Sequence, residues 1–292
     1  MTAFIVPRST ARNRLRRRLV SKLMIGLTYL AAGLATLPLL LILFHIGKAG
    51  AASLNVAFFT RMPQPVGEVG GGMANAIVGT LILIGIAAMI GVPIGIGAGL
   101  YLAEHRTSLL ANTVRFLSDV LNGIPSIVMG IFAWQLLVRP FGHFSAWSGG
   151  IALGAMIIPL VTRTTEEMIQ LVPNALREAA LALGYQRWRT SLGVILRTAT
   201  PGIVTGALVA VARIAGETAP LLFTAFGNQF WSTSLKQPIA ALPLQIFTYA
   251  ISPYDELHSL AWAGALVLIG IVLVISIAAR YATRSRFGVA VD

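Results

Sequence analysis

Long apolar blocks separated by short charged segments dominate this sequence. A helix needs about 20 mainly apolar residues to cross roughly 30 Å of hydrocarbon, and six blocks reach that length. These blocks are residues 24–46, 74–102, 114–138, 149–169, 202–226 and 257–279. The pattern therefore predicts an all-α membrane protein with six transmembrane helices.

The composition supports a membrane location. Hydrophobic residues make up 56% of the 292 positions and charged residues 11%, whereas soluble domains carry about a quarter charged residues. An ordinary soluble enzyme is therefore excluded. The net charge of +12 would suggest nucleic-acid binding in a soluble protein. Here the charges lie between apolar blocks, which is typical of loops beside an anionic membrane surface.

The basic residues alternate from loop to loop. The segments before block one, between blocks two and three, between blocks four and five, and after block six hold 16 Lys and Arg residues, counting Arg115 at the edge of block three. The remaining segments hold four, and Arg163 and Arg213 lie inside blocks. Because cytoplasmic loops carry the excess of Lys and Arg, we predict that both termini are cytoplasmic.

This topology divides the chain into segments of alternating location. They are a basic cytoplasmic tail (1–23), a first span (24–46), an external loop (47–73), a core with the other five spans (74–281) and a second cytoplasmic tail (282–292). The core includes a cytoplasmic loop (171–200) and an external loop (227–256). Part of the loop over 227–256 could fold back as a short helix.

In the second block, Gly91, Gly95 and Gly99 share one helical face. Small residues at this spacing let a neighbouring helix approach closely, either within the chain or at a subunit interface.

The cytoplasmic loop between blocks four and five has a pattern of its own. Pro173 suits a helix start, and residues 174–183 are strong helix formers. Gly184 then favours a left-handed turn, after which a helical pattern resumes over 185–196. A projection of this kind could lie on the lipid surface or fit a groove on another protein.

The same loop carries a recognisable motif. Glu178-Ala179-Ala180, three residues, Gly184, nine residues and then Val194-Ile195-Leu196 resembles the E-A-A-x-x-x-G-x9-I-x-L-P loop of ABC importer permeases. Arg197 stands where that family often has proline. In that family the short helix is the coupling helix that docks on the ATPase subunit. The residues to which the resemblance assigns ATPase coupling are Glu178, Ala179, Ala180 and Gly184.

Four further strings resemble the phosphate-specific branch of these permeases, in particular its A-type subunits. They are residues 123–128 (GIPSIV), 163–166 (RTTE), 213–220 (RIAGETAP) and 228–231 (NQFW). The likeness covers about residues 70–281. It implies a type I ABC importer permease fold and the inward transport of inorganic phosphate by alternating access.

The resemblance also implies partners and a location. A PstC-like permease subunit would complete a heterodimer with this chain, a PstB-like ATPase dimer would supply the energy, and a PstS-like external phosphate-binding protein would deliver the substrate. The assembly would lie in the bacterial cytoplasmic (inner) membrane. A permease for sulfate or molybdate, and a secondary transporter that works alone, remain alternatives.

Charges inside the predicted spans are the candidate substrate-pathway residues. A central arginine costs several kcal/mol of insertion free energy, about 2.5–3.5 on insertion scales, so Arg213 should face protein or water. Glu217 follows four residues later, on the same face of a continuous helix. The two could form a structural ion pair, or they could line a pathway in which the guanidinium binds an oxyanion. Arg163 could snorkel to the cytoplasmic face, pair with Glu166 or Glu167, or line the pathway.

The sequence lacks the patterns typical of an ATP-binding site and of a metal site. There is no G-x-x-x-x-G-K-[ST] string for ATP binding, and the chain contains no cysteine. None of the four histidines has a second histidine at ligand spacing, which argues against a metal site. We therefore expect a translocation subunit without catalytic residues, cofactor or metal, whose ATP hydrolysis takes place in a partner.

Overall fold

The computed structural model describes residues 11–68 and 70–284, with side chains over 17–68 and 70–281. Among the described residues, those up to Lys48 form one unit and those from Ala49 onward form a second. Helix α1 (Ala11–Ser53) contains the predicted first span and begins well before it. The first ten residues of the predicted basic tail, and residues 285–292 of the second tail, lie outside the described ranges.

The described part of the chain is built from helices. After α1 these are α2 (Val56–Thr60), α3 (Ala74–Glu104), α4 (Leu109–Gly123), α5 (Ser126–Ala133), α6 (Arg139–Phe141), α7 (Ala146–Gln170), α8 (Asn174–Ala182), α9 (Arg187–Thr190), α10 (Leu196–Ala215), α11 (Ala219–Thr224), α12 (Leu242–Ala250) and α13 (Asp255–Arg284). Two π-helical turns, Trp134–Val138 and Ser191–Ile195, join α5 to α6 and α9 to α10. The β-structure within residues 11–68 and 70–284 is a single bridge between Phe226 and Ile239.

Five helical segments within the described ranges are long and apolar enough to cross a membrane. They are Arg17–Ser53, Ala74–Glu104, Ala146–Gln170, Arg187–Ala215 and Asp255–Tyr281. A bent pair, Leu109–Gly123 with Ser126–Phe141, makes a sixth if it is counted as one span. The protein is therefore an all-α membrane protein, as predicted.

The third predicted block is not one straight helix. Its two halves, α4 and the run that starts at Ser126, are bent by 107° relative to each other. The break is at Ile124 and Pro125, both of which have extended ψ angles of 132° and 138°. Proline lacks the N–H that continues a helix and disfavours helical geometry in the residue before it. The single span predicted over 114–138 was therefore wrong in shape.

The fifth block also differs from its predicted bounds. The continuous helical run extends from Arg187 to Ala215, so it begins 15 residues before the predicted start at Gly202 and ends before Glu217. Gly216 leaves helical geometry with φ −97° and ψ 0°, and α11 begins three residues later. Arg213, expected half-way along a span, instead lies in the last turn of α10.

Helices α3 and α7 pack against each other through the glycine face of α3. A Cβ added at Gly91 would lie 2.7 Å from the carbonyl oxygen of Gly154, and one added at Gly95 would lie 2.7 Å from Cβ of Val161. At Gly99 the nearest atom would be the carbonyl oxygen of Thr162, at 2.5 Å. The glycine spacing therefore serves packing within the chain, because only glycine allows this approach.

The segment over 227–256 is tied to the start of α3 by polar contacts. Nδ2 of Asn75 donates to the carbonyl oxygens of Asn228 (2.9 Å) and Gln229 (3.2 Å). The N–H of Leu242, the first residue of α12, donates to Oγ1 of Thr80 at 2.7 Å. Helix α12 is the short helix that the sequence allowed here. The contacts fix this segment at the end of the bundle opposite the loop over 171–200 along α3.

Candidate functional site

Arg213 lies on an exposed stripe of α10. Pro201, Thr205, Val209 and Arg213, spaced four residues apart, are all exposed. The opposite face of α10, with Val211 and Ala215, is buried in the core. Because a guanidinium facing hydrocarbon is costly, this stripe must face water or another protein once the chain is in a membrane.

The local backbone favours a cation at this position. Arg213 is in the last turn of α10, and its carbonyl oxygen accepts a long hydrogen bond of 3.4 Å from the N–H of Gly216. The C-terminal end of a helix carries partial negative charge and stabilises nearby cations. The helix end therefore offsets part of the cost of holding a positive charge within an apolar segment.

Glu217 is half-buried and lies beyond the end of α10. Its N–H donates to the carbonyl oxygen of Ile214 at 3.1 Å. Within residues 17–68 and 70–281, neither the Glu217 carboxylate nor the Arg213 guanidinium takes part in an ion pair. The ion pair considered from the sequence is therefore not formed. It assumed a continuous helix, and the helix ends between the two residues.

Arg163 has two carboxylate partners. Its Nη1 lies 3.0 Å from Oε2 of Glu166 on the same helix, and its Nε lies 3.2 Å from Oδ1 of Asp119 on α4. Its partner on α7 is Glu166, one of the two candidates, and not the exposed Glu167. Arg163 therefore joins α7 to α4, and its place in a substrate pathway stays a prediction.

Arg115, for which the sequence predicts no functional role, completes this charge network. Its Nε donates to Oε1 of the buried Glu166 at 2.6 Å. Its Nη2 also donates to the carbonyl oxygen of Leu102, near the end of α3, at 2.9 Å. Removing one partner of a buried ion pair is strongly destabilising. The network thus fastens α3, α4 and α7 together. Arg115 and Asp119, one turn apart on α4, were the signal that could have indicated it.

The loop over 171–200 has the predicted shape. Helix α8 covers Asn174–Ala182, and Gly184 adopts a left-handed φ of +83°. The N–H of Gly184 donates to the carbonyl of Leu181 (3.0 Å), and the N–H of Tyr185 donates to that of Ala180 (3.1 Å). This pair of bonds is the Schellman arrangement that ends helices at a glycine. The predicted helix, glycine corner and second helix are confirmed.

The motif residues divide between two environments. Glu178, Ala179 and Gly184 are exposed, whereas Ala180 is 6% exposed. Large apolar side chains exposed around the corner are Leu181, Leu183, Tyr185 and Trp188. An exposed apolar patch of this kind marks a surface that contacts another protein or a membrane. Ala180 instead packs inward, where its small side chain fits.

Known proteins resemble this chain over most of its length. Residues 91–287 match the family described as "Binding-protein-dependent transport system inner membrane component". The chain is 51% identical over 243 residues to the phosphate transport system permease protein PstA of Yersinia pestis, covering 83% of this chain and 82% of that relative. It is 47% identical over 276 residues to PstA of Xylella fastidiosa (strain Temecula1), covering 93% and 96%.

A more distant likeness concerns the fold alone. An inward-facing structure of the MetNI methionine ABC transporter superposes with a TM-score of 0.61 at 20% identity, covering 73% of this chain and 96% of that chain. The helical arrangement is thus that of an ABC importer permease. The family match and the curated relatives show that the chain belongs to the binding-protein-dependent transport system inner membrane components, among the phosphate transport system permease proteins PstA.

Proposed function

We propose that this chain is a membrane-spanning subunit through which an ATP-driven importer moves inorganic phosphate into the cell by alternating access. The observation that carries the proposal is the exposed guanidinium of Arg213 on a stripe of an otherwise apolar span. The names of the PstA relatives supply the substrate. The chain itself is a translocation subunit, and ATP hydrolysis belongs to a partner.

Arg213 would contact the substrate directly. A guanidinium presents a planar fork of N–H donors that matches two oxygens of a phosphate. No ion pair within the described side chains occupies this fork, so it can accept an anion without first breaking a contact. A single arginine also keeps the interaction weak, and passage requires that the substrate be released.

Glu217 would add selectivity for phosphate. Monohydrogen phosphate carries a proton and can donate a hydrogen bond to a carboxylate, whereas sulfate has no proton to donate. A carboxylate already paired with Arg213 would be a poorer acceptor. Because neither side chain has an ion-pair partner among the described side chains, the Glu217 carboxylate can accept this bond. Arg163 would lie nearer the inner end of the pathway, where Asp119 and Glu166 position it.

The remaining subunits follow from the surfaces of this chain. The exposed stripe of α10 would face a PstC-like permease subunit across the pathway. The surface around α8 and Gly184 would dock on a PstB-like ATPase dimer. A PstS-like binding protein would deliver phosphate at the opposite end, against the segments over 47–73 and 227–256. Both termini would be cytoplasmic, and the assembly would lie in the bacterial inner membrane.

The topology can be tested by chemical labelling, because the chain has no cysteine of its own. A single cysteine placed at Leu183, which is 79% exposed, is expected to react with a membrane-impermeant maleimide only from the cytoplasmic side. A cysteine at Phe230, 76% exposed, should react only from the outside. Labelling of Leu183→Cys in intact spheroplasts would contradict the proposal.

The transport function requires the whole assembly. We expect proteoliposomes that contain this chain, the second permease subunit and the ATPase to accumulate radiolabelled phosphate only with ATP and the external phosphate-binding protein. The same vesicles should not accumulate sulfate, and the purified chain alone should transport neither anion. ATP-driven uptake of sulfate in place of phosphate would assign the chain to another oxyanion. Uptake by the chain alone would indicate a secondary transporter.

A further inference from the structure

Glu104, the last residue of α3, connects three parts of the chain that are distant in sequence. Its two carboxylate oxygens accept hydrogen bonds of 2.7 and 2.6 Å from Nη1 of Arg177, which lies on α8. One of them also accepts a bond of 2.9 Å from Oγ of Ser191, in the π-helical turn before α10. The charged side chains are partly shielded, at 23% and 29% exposure for Glu104 and Arg177. These contacts make Glu104 a junction between α3, α8 and the start of the α10 run.

The position of the junction matters because it connects α8 directly to α3. Along the chain, α8 leads through the exposed corner at Gly184 into the run that contains α10. The Glu104–Arg177 pair adds a second connection, from α8 to α3. Helix α3 is in turn packed on α7 with backbone-to-side-chain approaches as close as those at Gly95 and Gly99. Because close-packed interiors transmit strain, we expect a displacement of α3 to reach α7.

We propose that Glu104 is a positioning residue that transmits motion of α8 to the α3–α7 pair. A displacement of α8 by the ATPase then reaches two parts of the bundle, α10 through the chain and α3 through the ion pair. The inference rests on the proposed function, since it assumes that α8 docks on an ATPase. Ser191 strengthens the arrangement, because its hydroxyl holds the Glu104 carboxylate against the start of the same run.

The first test measures phosphate transported per ATP hydrolysed by the reconstituted complex. Glu104→Gln keeps the size of the side chain and its bond to Ser191 but removes the ionic attraction to Arg177. We expect this ratio to fall about tenfold, the order of factor that one charge-assisted hydrogen bond supplies, while the ATPase still co-purifies. Glu167→Gln is the matched control, since Glu167 is exposed on the same side of the bundle and forms no ion pair among the described side chains. A normal ratio in Glu104→Gln overturns the inference.

Exchanging the charges of Glu104 and Arg177 distinguishes a positioning role of Glu104 from a role in stability. The double variant Glu104→Arg with Arg177→Glu restores an ion pair of reversed direction, so its transport ratio should exceed that of either single variant. A purely structural role for Glu104 in folding would affect the amount of complex and leave the ratio unchanged. If the exchange is no better than the single variants while all three co-purify with the ATPase, the inference is wrong.

The last test does not depend on the transported substrate. Spin labels at Ala182 on α8 and Ile94 on α3, both exposed, can be placed in the cysteine-free chain and their separation measured with and without ATP. In the wild-type complex we expect the separation to stay constant, because α8 and α3 move together. In Glu104→Gln it should change on ATP binding. A separation that changes equally in both overturns the inference, whereas failure of the wild-type complex to move phosphate overturns only the proposed function.

Discussion

Replacing Arg213 with glutamine is expected to reduce ATP-driven phosphate uptake by about 100-fold, because two charge-assisted hydrogen bonds of about 1.5 kcal/mol each would be lost. The side chain is exposed on α10 and has no ion-pair partner within the described residues. Its removal therefore leaves no buried charge unpaired, and the fold should be kept. The measurement is uptake of radiolabelled phosphate by the reconstituted complex, with subunit association checked by co-purification.

Two further variants make this prediction specific. Arg139 is also exposed but lies on α6 and not on the stripe of α10, and Arg139→Gln makes the same chemical change away from the proposed pathway, so uptake should be close to wild type. Arg213→Lys keeps the charge but loses the planar fork, and its uptake should fall between those of Arg213→Gln and wild type. Normal uptake by Arg213→Gln at low phosphate would show that Arg213 does not contact the substrate.

Replacing Gly184 with valine is expected to weaken binding of the ATPase subunit to this chain. Gly184 has φ +83°, and a β-branched residue is a genuine outlier in that region. The backbone strain of about 1–3 kcal/mol would favour opening of the two hydrogen bonds that end α8. The exposed surface of α8 would then no longer be held in the orientation that fits the ATPase. Co-purification of the ATPase should therefore fall about tenfold or more, and phosphate uptake should fall with it. Thermal stability of the isolated chain should change less than ATPase binding.

The chain offers a close control for this effect. A Cβ added at either Gly184 or Gly193 would meet no atom within 4 Å, but only Gly184 has a positive φ. Gly193→Val should therefore keep ATPase binding, and Gly184→Asn should keep most of it, because asparagine tolerates left-handed geometry. If Gly184→Val retains both ATPase binding and stimulated ATP hydrolysis, the docking role of this corner is refuted.

Local features of the molecule were predictable from the sequence. The apolar blocks identify the spanning helices, because burial in lipid requires about 20 apolar residues whatever the rest of the chain does. The helix, glycine and helix order over 171–200 was also readable, since a Schellman end depends on a glycine and a few adjacent backbone bonds. The break after Gly123 was readable in principle, because Pro125 marks it, but the apolar run around it concealed the bend.

Contacts between distant residues were not predictable. The bond from Arg115 to Glu166 spans 51 positions, and that from Arg177 to Glu104 spans 73. The sequence suggested an Arg213–Glu217 pair from helical spacing, and the helix end at Ala215 removed the geometry on which that pair depended.

By itself, the sequence determined that this is a six-block helical membrane protein with a glycine-cornered loop and an arginine within an apolar segment. Hydropathy and glycine geometry act over a few residues, so a linear pattern is enough to specify them. Only the tertiary structure decided which carboxylates Arg115, Arg163 and Arg177 contact, and that the α3 glycines contact α7. It also decided that Arg213 has no ion-pair partner among the described side chains. Those outcomes depend on where helices end and how they pack, because charges interact over a few ångströms in space irrespective of their separation along the chain.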